Sequence, residues 1–98
     1  MNKKNIKNQD DLSKILRAVG DPQRLRLICS LFGKKKECVT QLSKDISLSV
    51  ASTSYHLRTL YRLGMLDIER NGKSICYRLK SQPILKDLKK LICKYVNN

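Results

Sequence analysis

Between Val50 and Leu63 the chain carries side chains suited to reading a polyanion. At roughly 100° per residue, Ala51, Ser54, Tyr55, Arg58 and Arg62 fall on one helical face, with Ser52 and Thr59 at its edges. Small and hydroxyl groups early in such a helix meet base edges, while arginines further along hold phosphate. Four cysteines offer a second chemistry: Cys29, Cys38, Cys76 and Cys93. Their spacing contains neither CxxC nor a zinc-finger arrangement. In a reducing compartment they are expected to rest as thiols rather than as a disulfide framework. Catalysis finds no support. The single histidine, His56, projects toward the inward edge of its helix and reads as structural. A phosphate-binding glycine loop and paired carboxylates in helical register are both missing, so the chain is not expected to be an enzyme.

Charge points the same way. Ninety-eight residues make one domain, short for a deep core unless a partner covers more apolar surface. Lysine plus arginine number 21 against 8 acids, and the resulting +13 repels itself unless an anionic partner is present. Nucleic acid, a membrane surface or an acidic protein would each qualify. No apolar run approaches the ~18 residues of a membrane span. The opening MNKKNIKNQDD lacks the apolar segment of a secretory signal. A cytoplasmic protein working on nucleic acid, without a membrane, is the expectation. With one phenylalanine, four tyrosines and no tryptophan, the aromatic platforms of RNA readers are absent.

The elements that must position these residues follow from periodicity. Residues 1–9, with Lys3, Lys4 and Lys7, read as a mobile basic arm ahead of a domain over 10–98. Leu12, Ile15, Leu16 and Val19 form the stripe of a first helix that Gly20 ends. Asp21-Pro22 caps and opens a second, with Leu25, Ile28, Leu31 and Phe32 inward and Cys29 beside them. Gly33-Lys34-Lys35-Lys36 is a basic loop that either meets phosphate or simply connects. Leu42 and Ile46 mark a short third helix from about Val39. Ser47-Leu48-Ser49 gives a turn, with Ser49 the N-cap of the fourth helix. Thr53, Leu57, Leu60 and Leu63 form that helix's inner face, and Gly64 closes it.

The period then switches to two. Asn71-Gly72 predicts a two-residue type I′ hairpin that sets Ile68 opposite Ile75, Leu66 opposite Tyr77 and Asp67 opposite Cys76. Arg70 and Lys73 would flank its tip as a basic wing. Pro83 opens a last helix, whose wide stripe of Ile84, Leu85, Leu88, Leu91, Ile92 and Tyr95 wants a partner, as does the first helix. An isolated αα-hairpin would satisfy the central pattern; the wing decides for DNA. The fold expected is mainly α with a β-hairpin wing, a winged helix-turn-helix dimerising through its N- and C-terminal helices.

The strings DPQRLRLICSL and ECVTQLSKDISLSVASTSYHLRTLYRLGMLDIERNGKSICYRL closely resemble the ArsR/SmtB-type winged-helix repressors, from about Leu12 to Leu79. The resemblance implies a dimeric repressor of double-stranded DNA, sequence-specific at a palindromic operator and released by a small inducer or oxidant. By position it puts base reading on Val50, Ala51, Ser54 and Tyr55. The family often has glutamine in place of Val50 and histidine in place of Tyr55, which implies a different operator, with Val50 against a thymine methyl. Together with Ser52, Arg58, Arg70 and Lys73 these are the expected DNA-binding residues.

What such a protein would sense is also partly legible. The family's metal ligands are mostly missing: Cys38-Val39-Thr40 stands where a CVC pair would be, and the last helix has Asp87 but no histidine. A closed zinc site needs about four ligands, so no metal or cofactor is expected within one chain. A subgroup that senses reactive sulfur or oxidants uses a cysteine on the second helix and one near the C-terminus. Cys29 matches the first position; Cys93 lies about one turn earlier than the second, among Lys86, Lys89 and Lys90. Cys38 is a further candidate. Two alternatives stay open: a metal- or metalloid-responsive repressor using cysteine thiolates, and a constitutive architectural DNA-binding protein.

Overall fold

The structure is a computed structural model in which residues 6–96 are described. Asn8 starts the first helix: its side chain accepts from the Asp11 amide at 2.9 Å, while the Lys7 amide donates to the Asp11 carboxylate at 3.0 Å. Asp10 and Asp11 then sit in the first turn, where negative charge suits the helix dipole. Helix α1 runs Gln9–Val19 and ends at Gly20. Asn8 caps α1 and Gln9 is its first residue, so the helix begins within the stretch expected as a basic arm; residues 1–5 lie outside the described residues. At the next boundary the Asp21 carboxylate accepts from the amides of Gln23 and Arg24, both at 3.0 Å, and Pro22 fills the first position of α2, Pro22–Leu31. A two-residue strand β1 (Glu37–Cys38) leads directly into α3 (Val39–Asp45). Ser47, at φ 55°, turns the chain toward α4 (Val50–Arg62). Strands β2 (Leu66–Asn71) and β3 (Ser74–Leu79) precede α5 (Pro83–Tyr95).

The core sits where α2, α3 and α4 meet the hairpin. Leu27, Ile28, Leu31, Leu42, Leu57, Leu60, Met65 and Leu66 have at most a hundredth of their surface exposed. Each leucine so buried contributes about 1.5–3 kcal/mol relative to exposure. The inner face of α4 is the expected one: Thr53, Leu57 and Leu60 are fully buried and Leu63 is half-buried. The Thr53 hydroxyl lies among them without a hydrogen-bond partner. On α1 the buried set is Ile15, Ala18 and Val19, which turns Leu16 outward.

Three antiparallel strands lie in the order β1-β3-β2. The hairpin differs from expectation in register. Leu66 faces Leu79, Ile68 faces Tyr77, Arg70 faces Ile75 and Asn71 faces Ser74, so Gly72 and Lys73 form the turn. Gly72 has φ +62°, whereas Lys73 is not among the residues of positive φ. That is the pattern of a type II′ turn with glycine first, and it replaces the type I′ turn with glycine second. The register moves by two residues, which leaves every side chain on its expected face. Cys76 faces Glu69 on β2 and Cys38 on β1, while Asp67 faces Arg78.

Candidate nucleic-acid interface

Helix α4 is fixed at both ends. The Ser49 hydroxyl accepts from the Ser52 amide at 3.0 Å. At the other end Gly64, at φ +80°, lets its own amide reach the Tyr61 carbonyl at 2.9 Å and the Met65 amide reach the Leu60 carbonyl at 3.0 Å. This pair of bonds is a Schellman closure, which needs a left-handed residue after the helix. Between these caps the buried Leu57 and Leu60 anchor one face and leave the other turned to solvent.

The exposed face holds the residues expected there. Tyr55 is 55% exposed and Val50 48%, large values for apolar side chains on a helix that is otherwise docked. Ala51, Ser52, Arg58 and Arg62 are exposed, and Ser54 is half-buried. Val50 and Ser54 line a cleft of about 210 Å³ together with Thr40 at the start of α3 and Lys73, Ser74 and Ile75 at the wing tip. The wing thus continues the surface of α4. Arg58 and Arg70 both lie near the Tyr77 phenol, on the hairpin face that packs toward α4. Burial raises the pKa of that phenol even though the two arginines pull it down. Thr40 and Ser74 escaped the sequence reading, since only the folded hairpin brings them beside Val50.

Acidic groups are kept off this surface. Glu69 pairs with Lys36 and Arg78, and Asp67 with Arg78 and Lys80, on the opposite face of the hairpin. Lys34 pairs with Asp45 at 3.0 Å and Glu37 at 3.7 Å. Two lysines of the basic loop are therefore held by carboxylates of the chain itself. Among the described residues no carboxylate pairs with Arg58, Arg62, Arg70 or Lys73. Exposed pairs add little stability, but their placement leaves the α4 and wing-tip surface purely cationic.

His56 points away from that surface. Its ring meets the Tyr55 ring edge-on at 5.3 Å, and its Nδ1 lies 3.0 Å from Arg24 Nη1. It ties α4 to α2, as expected of a structural histidine. Among the described residues no cluster of three or more histidine, cysteine or acidic side chains is placed to hold a metal.

The cysteines divide into two pairs. Cys38 and Cys76 are joined by a disulfide across β1 and β3, which corrects the expectation that all four rest as thiols. Nothing local in the sequence relates them; the long-range pairing of the two strands brings them together. Cys29 is half-buried on α2, in a cleft of about 330 Å³ shared with Leu25, Arg26, Ile46 and Val96. Cys93 is exposed on α5. Burial pushes the Cys29 thiol up, and the neighbouring Cys93 pushes it further. Cys29 and Cys93 thus lie within electrostatic reach of each other.

Apolar surface remains on the terminal helices. Leu91 is 55% exposed and Tyr95 71%; Leu16 on α1 and Val96, just past the end of α5, are exposed as well. No helix among the described residues is long and apolar enough to cross a membrane.

Comparison with known proteins finds the same assembly. The family described as bacterial regulatory protein, arsR family, matches residues 21–67. The cadmium resistance transcriptional regulatory protein CadC of Listeria innocua is 34% identical over 74 residues, which cover 76% of this chain and 62% of that protein. The chain thus spans less than two thirds of the length of that relative. The HTH-type transcriptional regulator YgaV of Escherichia coli is 30% identical over 82 residues, covering 81% of this chain and 83% of that protein. Reduced HlyU from Vibrio cholerae superposes with a TM-score of 0.81 at 26% identity, over 92% of this chain and 94% of that one.

Proposed function

The chain belongs to the ArsR family of bacterial regulatory proteins, a family of transcriptional regulators rather than enzymes, and from that premise we propose that it is a dimeric, operator-specific repressor released by thiol modification. The observation that carries this reading is the acid-free surface on which Val50, Ser54, Tyr55 and Arg58 of α4 run on into Lys73 of the wing. A helix of this kind enters the major groove, its first turns against base edges and its arginines and the wing against phosphate. Two copies held by α1 and α5 present two such helices, and the uncovered Leu16, Leu91 and Tyr95 supply the apolar contact between them. A dimer seated across a promoter blocks it, which makes repression the simplest outcome.

Release is assigned to Cys29 and Cys93. Their proximity supports a covalent link between α2 and α5 after reaction with reactive sulfur or an oxidant. Such a link joins the dimerisation helix to the DNA-binding body and changes the spacing of the two reading helices. A second reading, response to a soft metal or metalloid through cysteine thiolates, draws support from the name of the cadmium-resistance relatives. One experiment separates them: a gel shift on the DNA upstream of the coding sequence with cadmium, arsenite, polysulfide and peroxide added in turn. Release by polysulfide or peroxide that is lost in Cys29→Ser supports the thiol reading. Release by the metals alone refutes it. Equal binding to upstream and random duplex at raised salt refutes operator specificity.

A further inference from the structure

We propose that Cys38 and Cys76 are a second, peroxide-oxidisable dithiol that locks the wing to the helix-turn-helix and tightens DNA binding when the bond is formed. The proposal rests on the DNA-binding reading above but concerns a different part of the molecule from Cys29 and Cys93.

Three observations carry it. First, the two residues face each other in register on adjacent strands and are joined across them. Second, they differ in access: Cys76 is completely buried, whereas Cys38 is half-buried and opens into the cleft lined by Val50, Ser54 and Lys73. Third, β1 meets β3 through only two residue pairs, Glu37 with Tyr77 and Cys38 with Cys76, and β1 runs directly into α3 at Val39. The bond therefore fastens the entry to the reading unit onto the middle of the outgoing wing strand. The two cysteines are 38 positions apart in the sequence, and the stretch between them contains α3, α4 and β2.

The chemistry balances with a peroxide as oxidant. The Cys38 thiolate attacks one peroxide oxygen, the O–O bond breaks, and the departing oxygen takes up protons and leaves as water. The sulfenic acid on Cys38 is then attacked by the Cys76 sulfur. The S–S bond forms and a second water leaves with the Cys76 proton. Two electrons pass from the two thiols to the peroxide. A dithiol reductant reverses this through a mixed disulfide at Cys38, the reachable sulfur.

The consequence follows from the size of the seam. Among the described residues β1 pairs with β3 through two residues alone, so loss of the bond should let the wing tip move further relative to α4. With it, Lys73 stays beside Val50 and Ser54, so less freedom is lost when both meet DNA. The locked form should bind about ten-fold more tightly. This sign is opposite to that of release through Cys29 and Cys93, so the two devices separate cleanly.

The test uses the full chain in a Cys29→Ser, Cys93→Ser background, where only this pair can oxidise. Peptide mapping after peroxide should find a 38–76 link. Amide exchange over residues 66–79 should slow on oxidation, and the Kd for upstream duplex should fall about ten-fold. Adding Cys38→Ser, or Cys76→Ser if that variant folds, should abolish both responses and leave the reduced-form affinity. Absence of the 38–76 link, equal exchange in the two forms, or weaker DNA binding on oxidation would each overturn the proposal. If neither form binds duplex, the repressor reading fails and so does the affinity half of the proposal, while the exchange difference still reports the lock.

Discussion

The guanidinium of Arg24 in α2 spans to α4 and donates from Nη1 to His56 Nδ1 at 3.0 Å, while its Nε donates to the Ala18 carbonyl at 2.7 Å. A guanidinium has only donors, so Nδ1 is the accepting side of this contact. One side chain thereby ties the end of α1, the start of α2 and the middle of α4. His56→Leu should destabilise the fold by about 1–2 kcal/mol, since a charge-assisted bond is lost and its donor is left half-buried. Denaturant midpoints measure this, and nitrogen NMR of the ring reports the tautomer. Loss of sequence preference without loss of stability would instead make His56 a reading residue.

Tyr55 and Lys73 should fail in different ways. Tyr55→Ala removes the exposed side chain proposed to meet base edges, and should cost about 1–3 kcal/mol on the operator while leaving random duplex nearly unaffected. Lys73→Ala should weaken all duplexes alike and reduce the salt slope by about one unit. Salt-dependent titrations on both DNAs check the pair. Equal losses on both for Tyr55→Ala would remove it from the readout.

The uncovered apolar stripe of α5 makes a prediction about mass. Leu91→Glu should convert a two-copy particle into a single subunit in sedimentation equilibrium while leaving its helical content intact. Operator affinity should then fall about 100-fold or more, because the second reading helix no longer arrives with the first. A variant that stays dimeric would move the interface elsewhere.

Acid stability should depend on Asp21. The backbone amide of Arg24 holds the Asp21 carboxyl below its usual range against the opposing effect of burial, and the Arg24 charge and the Gln23 amide add to it. A carboxylate depressed in the folded state contributes stability that is fully present above its unfolded pKa, near 3.8, and is lost as pH falls through the lower folded value. Asp21→Asn keeps a capping oxygen but cannot ionise. Its Tm should therefore fall less steeply than that of the wild type as pH drops below about 4. Parallel acid limbs would mean that another carboxylate, such as Asp45 held down by Gln41 and Lys34, dominates.

Much of this arrangement is written locally. The caps at Asp21 and Ser49 and the spacing of Thr53, Leu57 and Leu60 determine α2 and α4 without reference to distant parts of the chain, and with them the outward face that carries Tyr55. What needed the fold is long-range. Strand β1 is two residues long and shows no period. The Cys38–Cys76 pairing depends on how β1 meets β3, across 38 residues. The hairpin register turned on whether Gly72 comes first or second in its turn, which Asn71-Gly72 alone does not decide. On α1, Ala18 rather than Leu16 faces inward because α2 closes against it, a packing outcome that a stripe of large residues conceals.

The pairing of Asp67 and Glu69 with Lys36, Arg78 and Lys80 on one side of the hairpin, opposite Arg58 and Arg70, which pair with no carboxylate among the described residues, gives the chain an electric dipole as well as a net charge of +13. A dipole in the field of a phosphate rod experiences a torque, so the molecule rotates toward the correct orientation before any contact is made. On the proposed function, fewer encounters would be wasted on the wrong face, and a search along DNA would proceed with the α4 side turned to the groove.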